Sequence, residues 1–254
     1  MDSKHRGMNR RLFVCAVLAA LFLAPGLAFG ETAVYSSTYT APECTSGSSV
    51  CEVPASLING RDSIANGNEP NQPNTLAASA CADGTNGTYH EDESLDSYVV
   101  TGLSGPELLP GDTVRVDAGV WCYSGQPELD IMYVYQADSA DSPSWNFMGS
   151  KTCSAGGQQD LSVAFKLGNT VGKQAIRVAF TYNSAEDPCN PGEYNDRDDV
   201  VLQVGNTVDT DSDGLYDWYE NKHGCLMSDT VDSAADTDGD GLTNSMEYTY
   251  LTDP

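Results

Sequence analysis

The sequence predicts an all-β fold: a disulfide-braced, jelly-roll-like β-sandwich followed by a short repeat of acidic loops with small helices. Three observations carry that expectation. Over residues 31–205, short runs rich in Val, Ile, Tyr and Phe recur between clusters of Gly, Pro, Asn, Asp and Ser. Seven cysteines lie beyond residue 30. From Asp209 onward there are 12 acidic residues and one basic residue, Lys222, arranged in two similar copies.

Residues 1–30 read as a signal peptide. Lys4, Arg6, Arg10 and Arg11 make a positive start, and residues 12–23 are unbroken apolar. Ala28-Phe29-Gly30 then offers small residues at the two positions a signal peptidase reads, so cleavage is expected before Glu31. The apolar run is shorter than the roughly 20 residues a membrane-spanning helix needs. Cys15 lies inside that run, where a lipid-attachment cysteine would not. The expected mature chain keeps 8 basic and 36 acidic residues, a net charge of −28. Coulomb repulsion turns such a surface away from nucleic acid and anionic lipid and toward cations. A secreted, extracellular or cell-surface protein is expected.

Cys44, Cys51, Cys81, Cys122, Cys153, Cys189 and Cys225 read, in an exported chain, as a disulfide framework with one thiol left over. No C-x-x-C occurs and only His90 and His223 follow residue 30, which argues against zinc. Cys44 and Cys51 enclose six residues and suit a local staple. Cys122 ends a predicted strand and Cys153 the region of the next hairpin, which suits a cross-strand bridge. Cys81 and Cys189 are then left for each other, though spacing alone does not fix the connectivity. Each bridge would contribute about 2–4 kcal/mol.

The clearest strand signals fall at 98–101, 113–123, 129–135, 161–167, 175–182 and 200–204. In the fifth, Ile176, Val178 and Phe180 share one face while Arg177 points to the other. Residues 45–86 carry few strand signals. The β-domain is expected to span 31–205, enough chain for one sandwich with a sizeable core, and the acidic repeat 206–254.

That repeat has the residue types a calcium ion needs, namely six to eight oxygens at about 2.3–2.6 Å. In the first copy Asp209, Asp211 and Asp213 alternate, Gly214 allows a sharp turn, and the Leu215 carbonyl, Asp217 and Glu220 follow as further ligands. The second copy begins 27 residues later, with Asp236, Asp238, Asp240, Gly241, Leu242, Asn244 and Glu247 at the same positions. A merely solvated acidic tail would not repeat Gly at the sixth position and Glu at the twelfth. The flanks differ from an EF-hand: a predicted strand and linker, not a helix, enter the first loop, and Leu stands at the seventh position in both copies.

Asp209-Thr-Asp-Ser-Asp-Gly-Leu-Tyr-Asp-Trp-Tyr-Glu220, His223-Gly224, Asp236-Thr-Asp-Gly-Asp-Gly-Leu-Thr-Asn, Glu247-Tyr248 and Thr252-Asp253-Pro254 resemble bacterial thrombospondin type-3 repeats. The resemblance covers about the last 46 residues. It implies calcium ligation by the loop carboxylates, a short helix leaving each loop, and a stiff acidic spacer. Dockerin repeats usually close on Asp, and these close on Glu. Such arrays commonly continue past Thr-Asp-Pro, so a longer parent protein is expected.

Asn195-Asp196-Arg197-Asp198-Asp199-Val200 resembles the closing strand of jelly-roll carbohydrate-binding modules, where acidic groups hold a structural calcium. With Gly60-Arg61, Glu69-Pro70-Asn71, Cys81-Ala-Asp-Gly and His90-Glu-Asp-Glu-Ser, the domain is similar to β-modules appended to secreted bacterial hydrolases. The resemblance implies a third calcium at Asp196, Asp198 or Asp199, against the alternative of a solvated turn. Trp121, Tyr123, Tyr133, Tyr135 and Trp145 are core residues or a sugar-stacking platform, with Trp145 expected to be exposed. No second His follows His90 at zinc-protease spacing, and Gly102-Leu-Ser-Gly-Pro106 lacks the final Gly of a nucleophile elbow. A glycosidase carboxylate pair stays open on composition alone. The expected function is therefore non-catalytic: a secreted calcium-binding protein whose β-domain binds or adheres to an extracellular glycan or cell-surface polymer. The alternative is an accessory module of a larger secreted protease or glycosidase.

Overall fold

The computed structural model describes residues 30–58, 74–105, 107–190, 192–205, 208–250 and 254. The expected signal peptide, the 60–73 part of the module motif and the Asn206-Thr207 linker lie outside them. The described residues form two compact units that part between Val208 and Asp209.

The first unit is a two-sheet sandwich. Its strands are β1 (Glu31–Thr32), β2 (Val34–Ser36), β3 (Ala41–Cys44), β4 (Val50–Val53), β5 (Ser94–Gly102), β6 (Thr113–Cys122), β7 (Asp130–Ala137), β8 (Asn146–Thr152), β9 (Gly157–Lys166), β10 (Gly172–Tyr182) and β11 (Asp196–Val204). One sheet runs β1-β4-β5-β6-β9 and the other β2-β3-β11-β10-β7-β8. Most neighbours are antiparallel; β1 with β4 and β3 with β11 are parallel. Val100, Val114, Val116 and Val120 from one sheet pack with Met132, Ile176, Val178, Phe180 and Val200 from the other in a single core.

The sheets differ in how many faces they bury, and the sequence shows why. Along β9, Leu161, Val163 and Phe165 face the core while Ser162, Ala164 and Lys166 are exposed, the alternation of a sheet with one wet face. In β10 and β11 nearly every residue is buried. Their outer face is covered by the segment from Asn74 to Gly84. Asp199 N–H donates to the Asn74 carbonyl at 2.9 Å, Leu76 N–H donates to Asp199 Oδ2 at 2.8 Å, and Gly84 N–H donates to the Asn195 carbonyl at 2.6 Å. Part of the stretch with few strand signals, Asn74 to Gly84, is thus a second coat.

The three expected disulfides are all present: Cys44–Cys51, Cys81–Cys189 and Cys122–Cys153. The Cys81–Cys189 bridge fastens the coat across a separation of 108 residues. The three bridges use six of the seven cysteines after residue 30; Cys225, expected as the leftover thiol of the mature chain, is not free in the full chain. Three disulfides place the folded chain in an oxidising compartment. Among the described residues no helix is long and apolar enough to cross a membrane.

Two further expectations change. Residues 196–199 are neither a solvated turn nor one acidic cluster, because they form the buried first half of β11. Strand alternation sends Asp196 and Asp198 to the side of Val200, and Asp199 to the opposite side. There Asp199 pairs with Arg177, while Asp196 Oδ2 accepts the Leu95 N–H of the other sheet at 2.8 Å. Trp145 is half-buried and not free to stack on a sugar. The Arg177 guanidinium lies 4.4 Å from its ring centre, and its Nε1–H donates to Ser79 Oγ at 3.0 Å. Tyr133 and Tyr135 are buried beside it, so the five aromatic residues do not make a common platform.

Candidate cation-binding loops

The second unit holds two short helices, α1 (Asp217–Lys222) and α2 (Asn244–Tyr250), each leaving an acidic loop. Its small core is aromatic. Leu215, Trp218, Tyr219 and Leu226 are buried, and the Tyr248 ring of α2 lies 4.9 Å from Tyr219 and 6.1 Å from Trp218. Among the described residues of this unit, that is a small apolar core.

The two loops have the same internal wiring. At the first position, Asp209 Oδ2 accepts the Gly214 N–H at 3.0 Å and Asp236 Oδ2 accepts the Gly241 N–H at 3.1 Å. At the third, Asp211 Oδ1 accepts from Asp213 N–H at 3.2 Å and Asp238 Oδ1 from Asp240 N–H at 3.0 Å. At the fifth, Asp213 Oδ1 accepts from Leu215 N–H at 2.9 Å and Asp240 Oδ1 from Leu242 N–H at 2.8 Å. Each carboxylate spends part of its acceptor capacity holding the turn, and an ionised carboxylate has about four lone-pair sites to share.

Both sixth-position glycines have the positive φ that the turn demands, 93° at Gly214 and 101° at Gly241. The fourth position is left-handed too, which sequence reasoning missed. It is Gly239 in the second loop, at φ 83°, but Ser212 in the first, at φ 61°. Only the glycine takes that conformation freely.

Carboxylate oxygens converge at three places. Asp209, Asp211 and Asp213 bring theirs within 4.8 Å of one another, as do Asp236, Asp238 and Asp240. A third group, Asp213, Glu220 and Asp232, shares Asp213 with the first. Asp232 lies outside both predicted loops. Its one sequence signal is a lone acid a few residues before the second copy.

Glu220 decides how the first cluster is read. It is fully buried, and neither carboxylate oxygen has a hydrogen-bond partner. Burial, with Asp211, Asp213, Asp232 and Asp217 around it, pushes its pKa up to about 7. Asp211 and Asp232 are raised as well, first by burial and then by neighbouring carboxylates. Asp211 Oδ2, Asp232 Oδ1 and Asn244 Oδ1 are buried acceptors without a hydrogen bond. Asp213 goes the other way. Burial works to raise it, but N–H donors from Leu215, Asp232 and Ser233 outweigh burial and lower it. A divalent cation matches such a donor set, because it supplies the charge that these oxygens lack.

Not every expected ligand is placed alike. Both oxygens of Asp217 accept from Thr210, from N–H at 2.8 Å and from Oγ1 at 2.6 Å. Asn244 Nδ2 donates to the Asp232 carbonyl at 2.8 Å, leaving its Oδ1 for other partners. Glu247, like Glu220, is fully buried. Leu215 is buried and Leu242 half-buried.

Among its described residues the sandwich has a cleft of about 150 Å³ lined by Asp92, Glu93, Tyr123, Tyr182 and Tyr194. Four segments meet there: the approach to β5, the end of β6, the end of β10 and the approach to β11. The Tyr182 ring stands edge-on to both Tyr123 and Tyr194, with centres 6.0 Å apart in each case.

No protein-family model matches the chain, and no curated protein does. Among solved structures, it is similar to the ASH/PapD-like domain of human CEP192 (PapD-like domain 7) at 13% identity and a TM-score of 0.25. That match covers 52% of this chain and 99% of the other. A likeness at that score carries no argument about function.

Proposed function

We propose that the protein is a secreted, calcium-binding, non-catalytic binding or adhesion protein, with thrombospondin type-3-like loops at Asp209–Glu220 and Asp236–Glu247. The observation that carries the calcium reading is Glu220: a fully buried carboxylate, both oxygens unpartnered, beside the Asp209-Asp211-Asp213 cluster. A buried ionised carboxylate without compensation costs several kcal/mol, so a cation is the economical partner. Asp209, Asp211, Asp213 and Glu220 would hold the first ion, with the Leu215 carbonyl and Asp217 as further candidates. Asp236, Asp238, Asp240 and Glu247 would hold the second, with the Leu242 carbonyl and Asn244. Calcium would supply positive charge that fixes the acidic loops and stiffens the unit.

The binding role of the sandwich rests on the tyrosine-lined cleft, whose ring faces and carboxylates suit a sugar or cell-wall polymer. The test of the main reading is a calorimetric calcium titration of the full protein after chelator treatment. Two ions with dissociation constants of about 10⁻⁴–10⁻³ M are expected for extracellular loops of this kind. Absence of calcium heat at millimolar ion would overturn it.

A further inference from the structure

The segment between the two loops is stitched to both. Asp232 and Ser233 each donate a backbone N–H to Asp213 Oδ2 in the first loop, both at 2.8 Å. On the other side, the Asp232 carbonyl accepts from Asn244 Nδ2 of the second loop at 2.8 Å, and the Ser233 carbonyl accepts Ser245 N–H at 3.0 Å. The Asp232 side chain turns back to the first loop, where one oxygen lies within 4.8 Å of oxygens from Asp213 and Glu220.

We propose that Asp232 completes the first divalent-cation site with its side chain while its backbone carbonyl holds Asn244 of the second, so that the two sites bind cooperatively. The inference rests on the calcium reading and adds to it a ligand outside both loops and a path between them. Glu220 points to a cation at this place independently of the acidic cluster, because both its oxygens are buried and unpartnered. Asp232 Oδ1 is likewise buried without a hydrogen bond, whereas Oδ2 accepts Met227 N–H at 3.3 Å. One oxygen serves the local turn and the other is left for an ion.

The coupling has a physical route. An ion drawing in the Asp232 carboxylate fixes the Asp232–Ser233 backbone. That backbone fixes the amide of Asn244, and the amide's Oδ1 is then set in place for the second site. A site organised by its neighbour binds more tightly, by the same factor in either direction.

Calcium titrations of the full protein and three variants test this. Asp232→Asn keeps size and a hydrogen-bond acceptor but removes the charge. It is expected to weaken one of the two ions about tenfold or more and to abolish cooperativity. Asp229→Asn makes the same charge change at an exposed residue outside the clusters and is expected to leave both constants within about twofold. Asn244→Asp keeps an oxygen at the ninth position but removes the donor to Asp232. Both ions should still bind, with coupling reduced from about fivefold or more to near unity. Circular dichroism of each variant confirms that the fold survives. Wild-type protein that takes up no calcium would overturn the calcium reading and this inference together. Wild-type protein that binds two ions, with Asp232→Asn indistinguishable from Asp229→Asn, would overturn this inference alone.

Discussion

Arg177 grips both carboxylate oxygens of Asp199, Nε to Oδ1 at 2.7 Å and Nη2 to Oδ2 at 2.8 Å, with neither residue exposed. The same guanidinium donates to the carbonyls of Ser79 and Pro188, and stacks on Trp145. The pair is where the coat over β10 and β11 is fastened to the sheet. A buried pair of this kind adds little net stability, but removing one partner strands the other charge. Asp199→Asn and Arg177→Met should each lower unfolding free energy by about 3–5 kcal/mol. The double variant Arg177→Met/Asp199→Leu should recover much of that loss. Urea unfolding checks both statements; additive losses in the double variant would contradict the assignment.

Ser212 and Gly239 occupy the same turn position in the two loops, and only the serine bears a side chain at positive φ. Left-handed backbone costs a non-glycine residue about 1–2 kcal/mol. Ser212→Gly is therefore expected to stabilise the first loop by up to about 1 kcal/mol, after the entropy that glycine loses on folding. Gly239→Ser should cost a similar amount in the second loop. Calcium affinities and melting temperatures of the two variants should shift in opposite directions.

The sandwich was legible in both sheets: the runs at 113–123 and 161–167 fall on β6 and β9, and those at 129–135, 175–182 and 200–204 on β7, β10 and β11. The alternation of Ile176, Val178 and Phe180 with Arg177 marked β10, and the cysteine spacing suited the three bridges. The strands missed altogether are β8, Asn-Phe-Met-Gly-Ser-Lys-Thr, which buries no residue, and the short β1 to β4. The closing-strand resemblance of Asp196 to Asp199 agrees with β11, but the burial of Asp-Arg-Asp-Asp was not legible, because a covering layer built from distant sequence supplies the partners. In the acidic unit, the alternating Asp and the Gly at each sixth position carried the loop pattern. Asp232 was not legible, because its place beside Glu220 depends on how the chain folds back between the loops.

Tyr182 is the central ring of the cleft, contacting both Tyr123 and Tyr194 and donating its hydroxyl to Gln126 Oε1 at 2.7 Å. If the cleft is the binding site, a glycan array should identify a ligand for the wild-type protein. Tyr182→Ala should then weaken that ligand about tenfold, the scale of one lost aromatic contact. Phe147→Ala, an exposed ring outside the cleft, serves as control and should bind as wild type does. Equal losses in both variants would remove the cleft from consideration.

Glu220 gives the last prediction, and its sign separates a metal ligand from a structural carboxylate. In the metal-free unit its pKa stands at about 7, above the ordinary 4.5, because burial and four neighbouring carboxylates disfavour its charge. A group whose folded pKa is raised supports the fold fully below its unfolded pKa and loses that support as pH rises through the folded value. The metal-free unit should thus be most stable at and below about pH 4.5, weaken between about pH 4.5 and 7, and level off above that, so far as Glu220 governs it. Glu220→Gln keeps the shape and has no charge to bury, so it should flatten that pH dependence and stabilise the metal-free unit at pH 8. The same substitution should weaken calcium binding at least tenfold, since the ion loses a carboxylate. A structural carboxylate would behave differently: Glu220→Gln would then leave the calcium titration unchanged. Chelator-treated and calcium-loaded samples, melted at pH 5 and pH 8, give all four readings in one experiment.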